Sequence, residues 1–253
     1  MEPRYGRLYA SAVLRPLAEQ VVDALGVQPG ATVCDLICDG GTLGIAMGGA
    51  VANRGKVTLV DVDAGLVQAA MRDVAATGCA VSTLVATQAA VPLPRASCDR
   101  VASLCTHGFW EGASLFDVAE RATRRDGCAA IVTWNALRLP LHEVALDDAL
   151  QEVCGIRARF LQRCLASLDS VPASGWQEVT LHDVVRFDGI GAYWAAMVGG
   201  RPLALELAGE PEAALAAVRA ACSRSLESCT AADGTLLIPV SATLYLSRSR
   251  PGA

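Results

Sequence analysis

Apolar positions along the first half of the chain follow two alternating spacings. Residues Ser11–Leu25 carry apolar side chains at the period of one helix face, and a helix is predicted there. Short, nearly continuous apolar runs of strand length then alternate with helical segments. Such an alternation predicts a parallel sheet covered by helices on both faces, an α/β doubly wound fold. The predicted strands are Ala31–Ile37, Val57–Asp63, Ala80–Ala86, Arg100–Thr106 and Cys128–Trp134, and the predicted helices between them are Thr42–Ala52, Gly65–Thr77 and Ala113–Thr123, with a turn at Arg124–Gly127.

The alternation becomes looser beyond Trp134. The pattern there predicts helices over Leu146–Leu168, Gly189–Val198 and Pro211–Leu226, and strands over Glu178–Phe187 and Ala242–Ser249. Because no clear linker interrupts the chain, we predict a single domain over residues 1–253. Its expected parts are a Rossmann-like core (1–135), a mostly helical lid with one strand over the strand ends (136–232), and a last strand with a tail (233–253).

Composition narrows the classes of partner. The chain has 253 residues, 19% of them charged, and a net charge of -5, which argues against nucleic acid or an anionic membrane surface as the main partner. No apolar run reaches membrane-spanning length, and the N-terminal stretch MEPRYGRLYA is charged without a following apolar core. The ten cysteines form no C-x-x-C pair and there are three histidines, so we expect reduced core cysteines and no metal site. A cytoplasmic protein with a small-molecule substrate is expected.

One stretch carries a candidate site. Ala31–Met47 reads ATVCDLICDGGTLGIAM, an apolar strand followed by a glycine pair and a helix, which is typical of a nucleotide-cofactor loop. Ligands of open parallel sheets bind beyond the carboxyl ends of the strands. Asp61 ends the second strand about 20 residues after the glycine pair, where an acid accepts from ribose hydroxyls. It is therefore a candidate cofactor contact.

Four segments together resemble the class I S-adenosylmethionine (SAM)-dependent methyltransferases, in particular the ubiquinone-biosynthesis-like branch that acts on small molecules. They are VCDLICDGG, VTLVDVD, ATQAAVPLPRASCDRV and RRDGCAAIVTW, in the order and spacing of that family. The resemblance runs from about Tyr5 to Ser249. It implies a seven-stranded, mostly parallel sheet whose last strand is antiparallel. It also implies cofactor contacts at Asp35, Gly41, Asp61 and Thr87.

The chain departs from the family at three of its cofactor contacts. Ile37 and Asp39 replace the first two glycines of the loop, while Gly41 keeps the third. Those glycines let the backbone approach the methionine part of SAM. A branched side chain at position 37 obstructs that approach, and two like charges ~4 Å apart repel by up to ~4 kcal/mol at an effective dielectric of ~20. Thr87 stands where the family often has an aspartate that accepts from the adenine amino group.

Two interpretations of these departures stay open. In one, the loop has drifted and Asp39 caps the helix that begins at Thr42. In the other, the fold no longer uses SAM as a methyl donor. Losses at three separate contacts favour the second interpretation, in which no cofactor is expected.

An ionised Asp39 in a dry pocket would attract a substrate amine and take its proton, so Asp39 is a candidate catalytic residue. His107, at the end of the fourth strand, is a second candidate acid or base. Tyr9 as a helix residue packed on the sheet, Asn135 as a loop cap and Tyr193 as lid core remain alternatives to substrate contact, and His142 and His182 are interpreted as structural. The candidate substrate-binding residues are Tyr5, Tyr9, Phe109, Trp110, Trp134, Asn135 and Tyr193.

The favoured function is a cytosolic tailoring enzyme for a small, amine-bearing metabolite that catalyses a non-methylating step such as ring closure. This step rests on analogy with other uses of the fold. The first alternative is an active SAM-dependent methyltransferase on oxygen, nitrogen or carbon of a small molecule. The second is a non-catalytic partner subunit of another biosynthetic enzyme, as a homo- or hetero-oligomer.

Overall fold

The computed structural model describes residues 6–87, 90–105, 114–135, 138–156, 175–199 and 203–247. Its strands form one seven-stranded sheet in the order β3-β2-β1-β4-β5-β7-β6. Strands β1 to β5 pair in parallel, and β7 lies antiparallel between β5 and β6. The predicted seven-stranded sheet with an antiparallel last strand is therefore confirmed. The strands are β1 Thr32–Leu36, β2 Lys56–Asp61, β3 Ala80–Val85, β4 Cys98–Leu104, β5 Thr123–Trp134, β6 Trp176–Phe187 and β7 Leu236–Ser247.

Helices cover both faces of this sheet. Alternate residues of β1 show the two layers: Val33 lies in one apolar core with the N-terminal helix, and Cys34 lies in the other with Phe116. The helices are α1 Arg7–Tyr9, α2 Arg15–Leu25, α3 Thr42–Val51, α4 Ala64–Ala75, α5 Leu115–Ala122, α6 Leu141–Cys154, α7 Ile190–Val198, α8 Leu203–Leu207 and α9 Glu212–Ser225, with short 3-10 turns at Ala52–Arg54 and Glu227–Cys229.

The N-terminal helix differs from its predicted form. A π-helical segment, Ala10–Leu14, joins α1 to α2, and the Arg15 N–H donates to the carbonyl of Ala10, five residues earlier. Pro16 explains the wider turn, because it has no N–H to donate to Ala12 and its ring crowds that carbonyl. The segment places Leu14 at the carboxyl end of the sheet, beside the loop that follows β1.

The boundaries of three predicted elements were wrong. The segment predicted as a turn at Arg124–Gly127 belongs to β5, where a register shift between Cys98 and Arg100 takes up the extra residues. Helix α6 begins at Leu141, five residues before the predicted start. It ends at Cys154, because Gly155 adopts the left-handed conformation (φ 68°) that terminates helices. The rest of the helix predicted to Leu168 lies outside the described residues from position 157 on. Strand β7 begins at Leu236, six residues before the predicted start at Ala242.

The β6–β7 ribbon extends beyond the neighbouring strand β5 at the carboxyl end of β5. Trp134 at the end of β5 pairs with Ala242, whereas the ribbon continues until Phe187 pairs with Leu236. The chain between β6 and β7, which contains α7 to α9, therefore lies beyond the carboxyl ends of the parallel strands, and α9 packs on α6. Within the part of the chain that is described, no helix combines the length and apolar character needed to cross a membrane.

Candidate functional site

The loop between β1 and α3 keeps a glycine-like backbone where glycine has been lost. Ile37 and Asp39 have φ angles of 58° and 47°, and the retained Gly41 has φ 82°. For residues other than glycine the left-handed region costs about 1–2 kcal/mol, and a β-branched residue there is a genuine outlier. The loop therefore bears two residues whose backbone conformation is one that glycine adopts without cost.

Both new side chains are directed into the protein. Ile37 is 1% exposed and Asp39 is 6% exposed. Ile37 lies in the core layer that contains Phe116, and it also lines a cleft at the loop. The volume beside the loop, which glycines would leave open, is thus occupied by an aliphatic side chain and a carboxylate.

Gly41 and Gly44 are required by the protein's own packing. A Cβ added at Gly41 would lie 2.8 Å from the Cβ of Ala70 on α4, and one at Gly44 would lie 2.7 Å from a methyl of Leu59. Contacts under 3.0 Å are essentially never made by real Cβ atoms, so a larger residue would force the surrounding structure to shift. The retention of Gly41 consequently needs no cofactor to explain it.

Asp35 holds the start of α3. Its Oδ2 accepts the Gly44 N–H at 2.8 Å, in the first turn of a helix whose N-cap, Gly41, has no side chain to offer. Asp35 is 1% exposed. Burial raises the pKa of Asp35 to about 7, the Gly44 N–H opposes that rise, and the neighbouring Asp61 and Asp39 add to it. Near neutral pH this carboxyl therefore carries a proton in a large fraction of molecules.

Asp61 ties the loop to the end of β2. Its Oδ2 accepts the Asp39 N–H at 3.0 Å, and its Oδ1 accepts the N–H groups of Val62 and Asp63 at 2.8 and 3.2 Å. The side chain is fully buried. Both oxygens are engaged by backbone donors in this structure, so its role toward a ribose stays a prediction.

A small cleft opens at this loop. It encloses about 250 Å³ including the solvent in its mouth. Pockets for drug-sized ligands measure about 300–1,000 Å³, so the cleft lies below that range. The cleft is lined by Leu14, Asp35, Ile37, Cys38, Asp39, Gly40, Thr42, Leu43 and Leu104.

Three predicted substrate-binding residues meet around His142. A hydrogen bond of 3.0 Å joins Tyr9 Oη to His142 Nε2, and Tyr193 Oη donates to the His142 carbonyl at 2.6 Å. The Trp134 ring lies edge-on to the imidazole, with ring centroids 5.8 Å apart. All four side chains are 0–2% exposed, so they form a buried cluster that links the N-terminal helix, β5, α6 and α7. Substrate contact by the three aromatic residues stays a prediction.

The cluster shows what the sequence pattern missed. The sequence indicates only a structural role for His142, and no motif marks it as the group that joins two tyrosines. Tyr9 and His142 lie 133 positions apart. Contacts of that range have no local periodicity, so a single sequence gives no signal for them.

The remaining candidates divide into two sets. Asn135 caps its own turn, since its Oδ1 accepts the Arg138 N–H at 3.1 Å, and the exposed Thr87 accepts the Ala90 N–H at 3.2 Å in another turn. Their ligand contacts remain predictions. Four candidates lie outside the described residues: Tyr5, His107, Phe109 and Trp110. In the described part of the chain, no group of three or more His, Cys, Asp and Glu side chains is arranged to hold a metal ion.

The chain is similar to known proteins in sequence over its first part and in fold. Residues 14–110 match the ubiE/COQ5 methyltransferase family. A putative type II methyltransferase from Anaeromyxobacter dehalogenans is 16% identical, with 100% of both chains covered and a TM-score of 0.60. A putative methyltransferase from Bacillus halodurans is 15% identical over 92% of this chain and 99% of its own, with a TM-score of 0.55. No curated protein sequence matches the chain.

A further similar structure was solved in a study of the conversion of a disulfide bond into a thioacetal group during echinomycin biosynthesis. It is 14% identical over 93% of this chain and 82% of its own, with a TM-score of 0.50. These similarities confirm the predicted resemblance at the level of the fold. The chain has the fold of the class I SAM-dependent methyltransferases, and its first part matches the ubiE/COQ5 family.

Proposed function

We propose that this chain is a methyltransferase-fold tailoring enzyme of small-molecule biosynthesis that does not use SAM as a methyl donor. The favoured reaction is an intramolecular ring closure on an amine-bearing substrate. One observation carries the proposal: glycine is retained at Gly41, where the protein's own packing needs it, and replaced at 37 and 39, where the family's loop approaches the cofactor. Drift alone gives no reason for the substitutions to fall on the cofactor side.

The two replacements act on SAM in different ways. The buried side chain of Ile37 occupies volume beside the loop. The backbone at position 37 already has the positive φ of a glycine, so a change to that conformation cannot make room for SAM. Asp39 places a second negative charge near the expected position of the methionine carboxylate. A repulsion of up to ~4 kcal/mol corresponds to roughly a thousandfold in affinity.

Asp39 is also the residue proposed to act on the substrate. A buried carboxylate attracts an ammonium group, orients it and takes its proton when the nitrogen attacks. His107, a candidate from the sequence, is a second acid or base. The occurrence of the same fold in echinomycin biosynthesis supports a place in small-molecule pathways, at the level of the fold.

Isothermal titration calorimetry of the full chain with SAM and with S-adenosylhomocysteine tests the proposal. We expect no binding of either nucleoside up to about millimolar concentration, given a penalty of up to roughly a thousandfold from Asp39 and the volume that Ile37 occupies. A Kd in the micromolar range for either would overturn the proposal.

That outcome would favour the second candidate, an active SAM-dependent methyltransferase on a small molecule. A specific observation supports this alternative: the family match covers the cofactor-loop half of the sheet, where Asp35, Gly41 and Asp61 are retained. If SAM binds, transfer of a labelled methyl group to candidate small molecules becomes the next assay.

A further inference from the structure

Strand β6 forms one edge of the sheet. In the described part of the chain it pairs with β7 from Trp176 to Phe187, and with no other strand. A long edge strand presents a row of backbone donors and acceptors with which another strand can pair. We propose that two copies of this chain pair antiparallel along β6, with the two-fold axis at His182, so that their sheets join into one. This inference is independent of the reaction proposed above.

Three observations show which residues of β6 direct their backbone groups to the open edge. The Val184 N–H donates to the Asp183 side chain at 2.7 Å, and the His182 carbonyl accepts from the Gln20 side chain at 3.4 Å. Val184 pairs with Pro239 of β7, which has no N–H to donate. In an antiparallel ladder, residues that bond to the neighbouring strand alternate with residues that face away from it. His182 and Val184 therefore direct their backbone groups outward. The same alternation extends to Glu178, Thr180 and Arg186.

These outward-facing positions also carry the exposed side chains of β6. Side chains alternate between the two faces along a strand, and Leu181 and Val185, on the other face, are buried in the core. Val184 is 55% exposed and leaves an apolar side chain open beside the edge. The exposed set on this face is Glu178, Thr180, His182, Val184 and Arg186.

The exposed set is complementary to itself. When His182 lies opposite His182 of a second copy, Glu178 lies opposite Arg186 of that copy. Thr180 then lies opposite Val184, and the two-fold axis repeats both pairs. Directly opposite residues have Cβ atoms about 4.5–5.5 Å apart, so a carboxylate and a guanidinium can meet there. In this register outward-facing backbone groups also meet outward-facing ones, whereas a slip of one residue would mismatch both patterns.

The contacts now made at the edge leave room for this pairing. The side chains of Asp183 and Gln20 each bind one backbone group of the edge, and backbone groups of the second copy can replace them. Arg186 lies 3.5 Å from Asp188 in an ion pair whose side chains are 62% and 85% exposed. Its guanidinium is therefore accessible to a second carboxylate.

Sedimentation velocity of the full chain over a range of micromolar concentrations tests the interface. We expect a reversible dimer. Glu178→Arg should raise its dissociation constant about tenfold, because like charges then lie opposite each other in both symmetry-related pairs. The double variant Glu178→Arg/Arg186→Glu should restore the wild-type value, since it exchanges the two charges. Glu152→Arg, the same change at a side chain of α6 that is 67% exposed, should leave the dimer unaltered.

Cysteine cross-linking tests the register. Opposite residues of a hydrogen-bonded pair have Cα atoms about 5.5 Å apart, within the range that a disulfide spans. Oxidation with copper phenanthroline should therefore convert His182→Cys to a covalent dimer, with the wild-type protein as the blank for its own cysteines. Thr180→Cys should not cross-link, because its two copies lie about 13 Å apart along the strands.

Circular dichroism checks that every variant is folded. A wild-type protein that stays monomeric would overturn the inference. So would a dimer that Glu178→Arg does not weaken, a double variant as weak as the single one, or cross-linking of Thr180→Cys equal to that of His182→Cys.

Discussion

Two pairs of positions in one loop and its helix differ in what their backbone positions require. Positions 41 and 44 are glycine, and at both an added Cβ would meet another side chain of this protein at under 3.0 Å. Positions 37 and 39 have lost glycine although the backbone at both is still left-handed. The comparison separates two reasons for glycine in the same loop. At positions 41 and 44, packing within the protein explains why the residue is glycine. At positions 37 and 39, the family's reason for glycine is the approach of a cofactor, and this chain has other residues there.

The largest expected effect concerns Asp35, whose carboxyl accepts the N–H of Gly44, one of the two packed glycines. Its pKa is raised from 3.8 to about 7, so the folded state holds a proton that the unfolded state releases at lower pH. The contribution of Asp35 to the free energy of unfolding should be fully present near pH 4 and below, fall by about 4 kcal/mol as the pH rises to about 7, and level off above.

The variant Asp35→Asn cannot ionise and can still accept the Gly44 N–H. Urea unfolding between pH 4 and 8 should show this part of the pH dependence removed, with the variant more stable than wild type at pH 8. An unchanged pH slope in the variant would contradict the assignment.

The next effect tests the retained glycine directly. Gly41→Ala should lower the free energy of unfolding by about 3 kcal/mol, because it combines a left-handed alanine with a contact of the new methyl on Ala70. Urea denaturation measures it. Ala70→Gly is the matched control: in the double variant the crowding is relieved but the backbone cost stays. If Gly41→Ala alone is harmless, packing does not explain why glycine persists there.

The smallest effect tests the lost glycine. Asp39→Gly should be more stable than Asp39→Ala by about 1 kcal/mol, because the two variants differ only in the Cβ held in the left-handed region. Chemical denaturation of the two proteins side by side isolates this cost, since each has lost the carboxylate. Equal stabilities would mean that the backbone at 39 is not held in the glycine conformation in solution.

Much of the fold could be predicted from the sequence, since the strands of a parallel sheet are apolar runs with a local signature. The number of strands in the sheet and its antiparallel last strand came from the family resemblance, and the order of the strands was not predicted. The end of α6 at Gly155 was missed although glycine is a common helix stop, because the apolar spacing continues past it. The early start of β7 was missed because Pro239 interrupts the strand pattern.

The candidate site was only partly predictable. The sequence showed which glycines are absent, but not that Ile37 and Asp39 keep a positive φ or that their side chains are buried. Backbone conformation at a substituted glycine depends on the whole loop, here on the Asp39 N–H held by Asp61. The role of Asp35 at the first turn of α3 likewise depends on a contact between separate elements.

The central claim is that the side chains at 37 and 39 close the crevice to SAM. The most direct measurement is calorimetry of S-adenosylhomocysteine with wild type and with the double variant Ile37→Gly/Asp39→Gly, whose folding is checked by circular dichroism. We expect binding by the double variant and none by the wild type. Micromolar binding by the wild type, or a folded double variant that remains unable to bind, would contradict it.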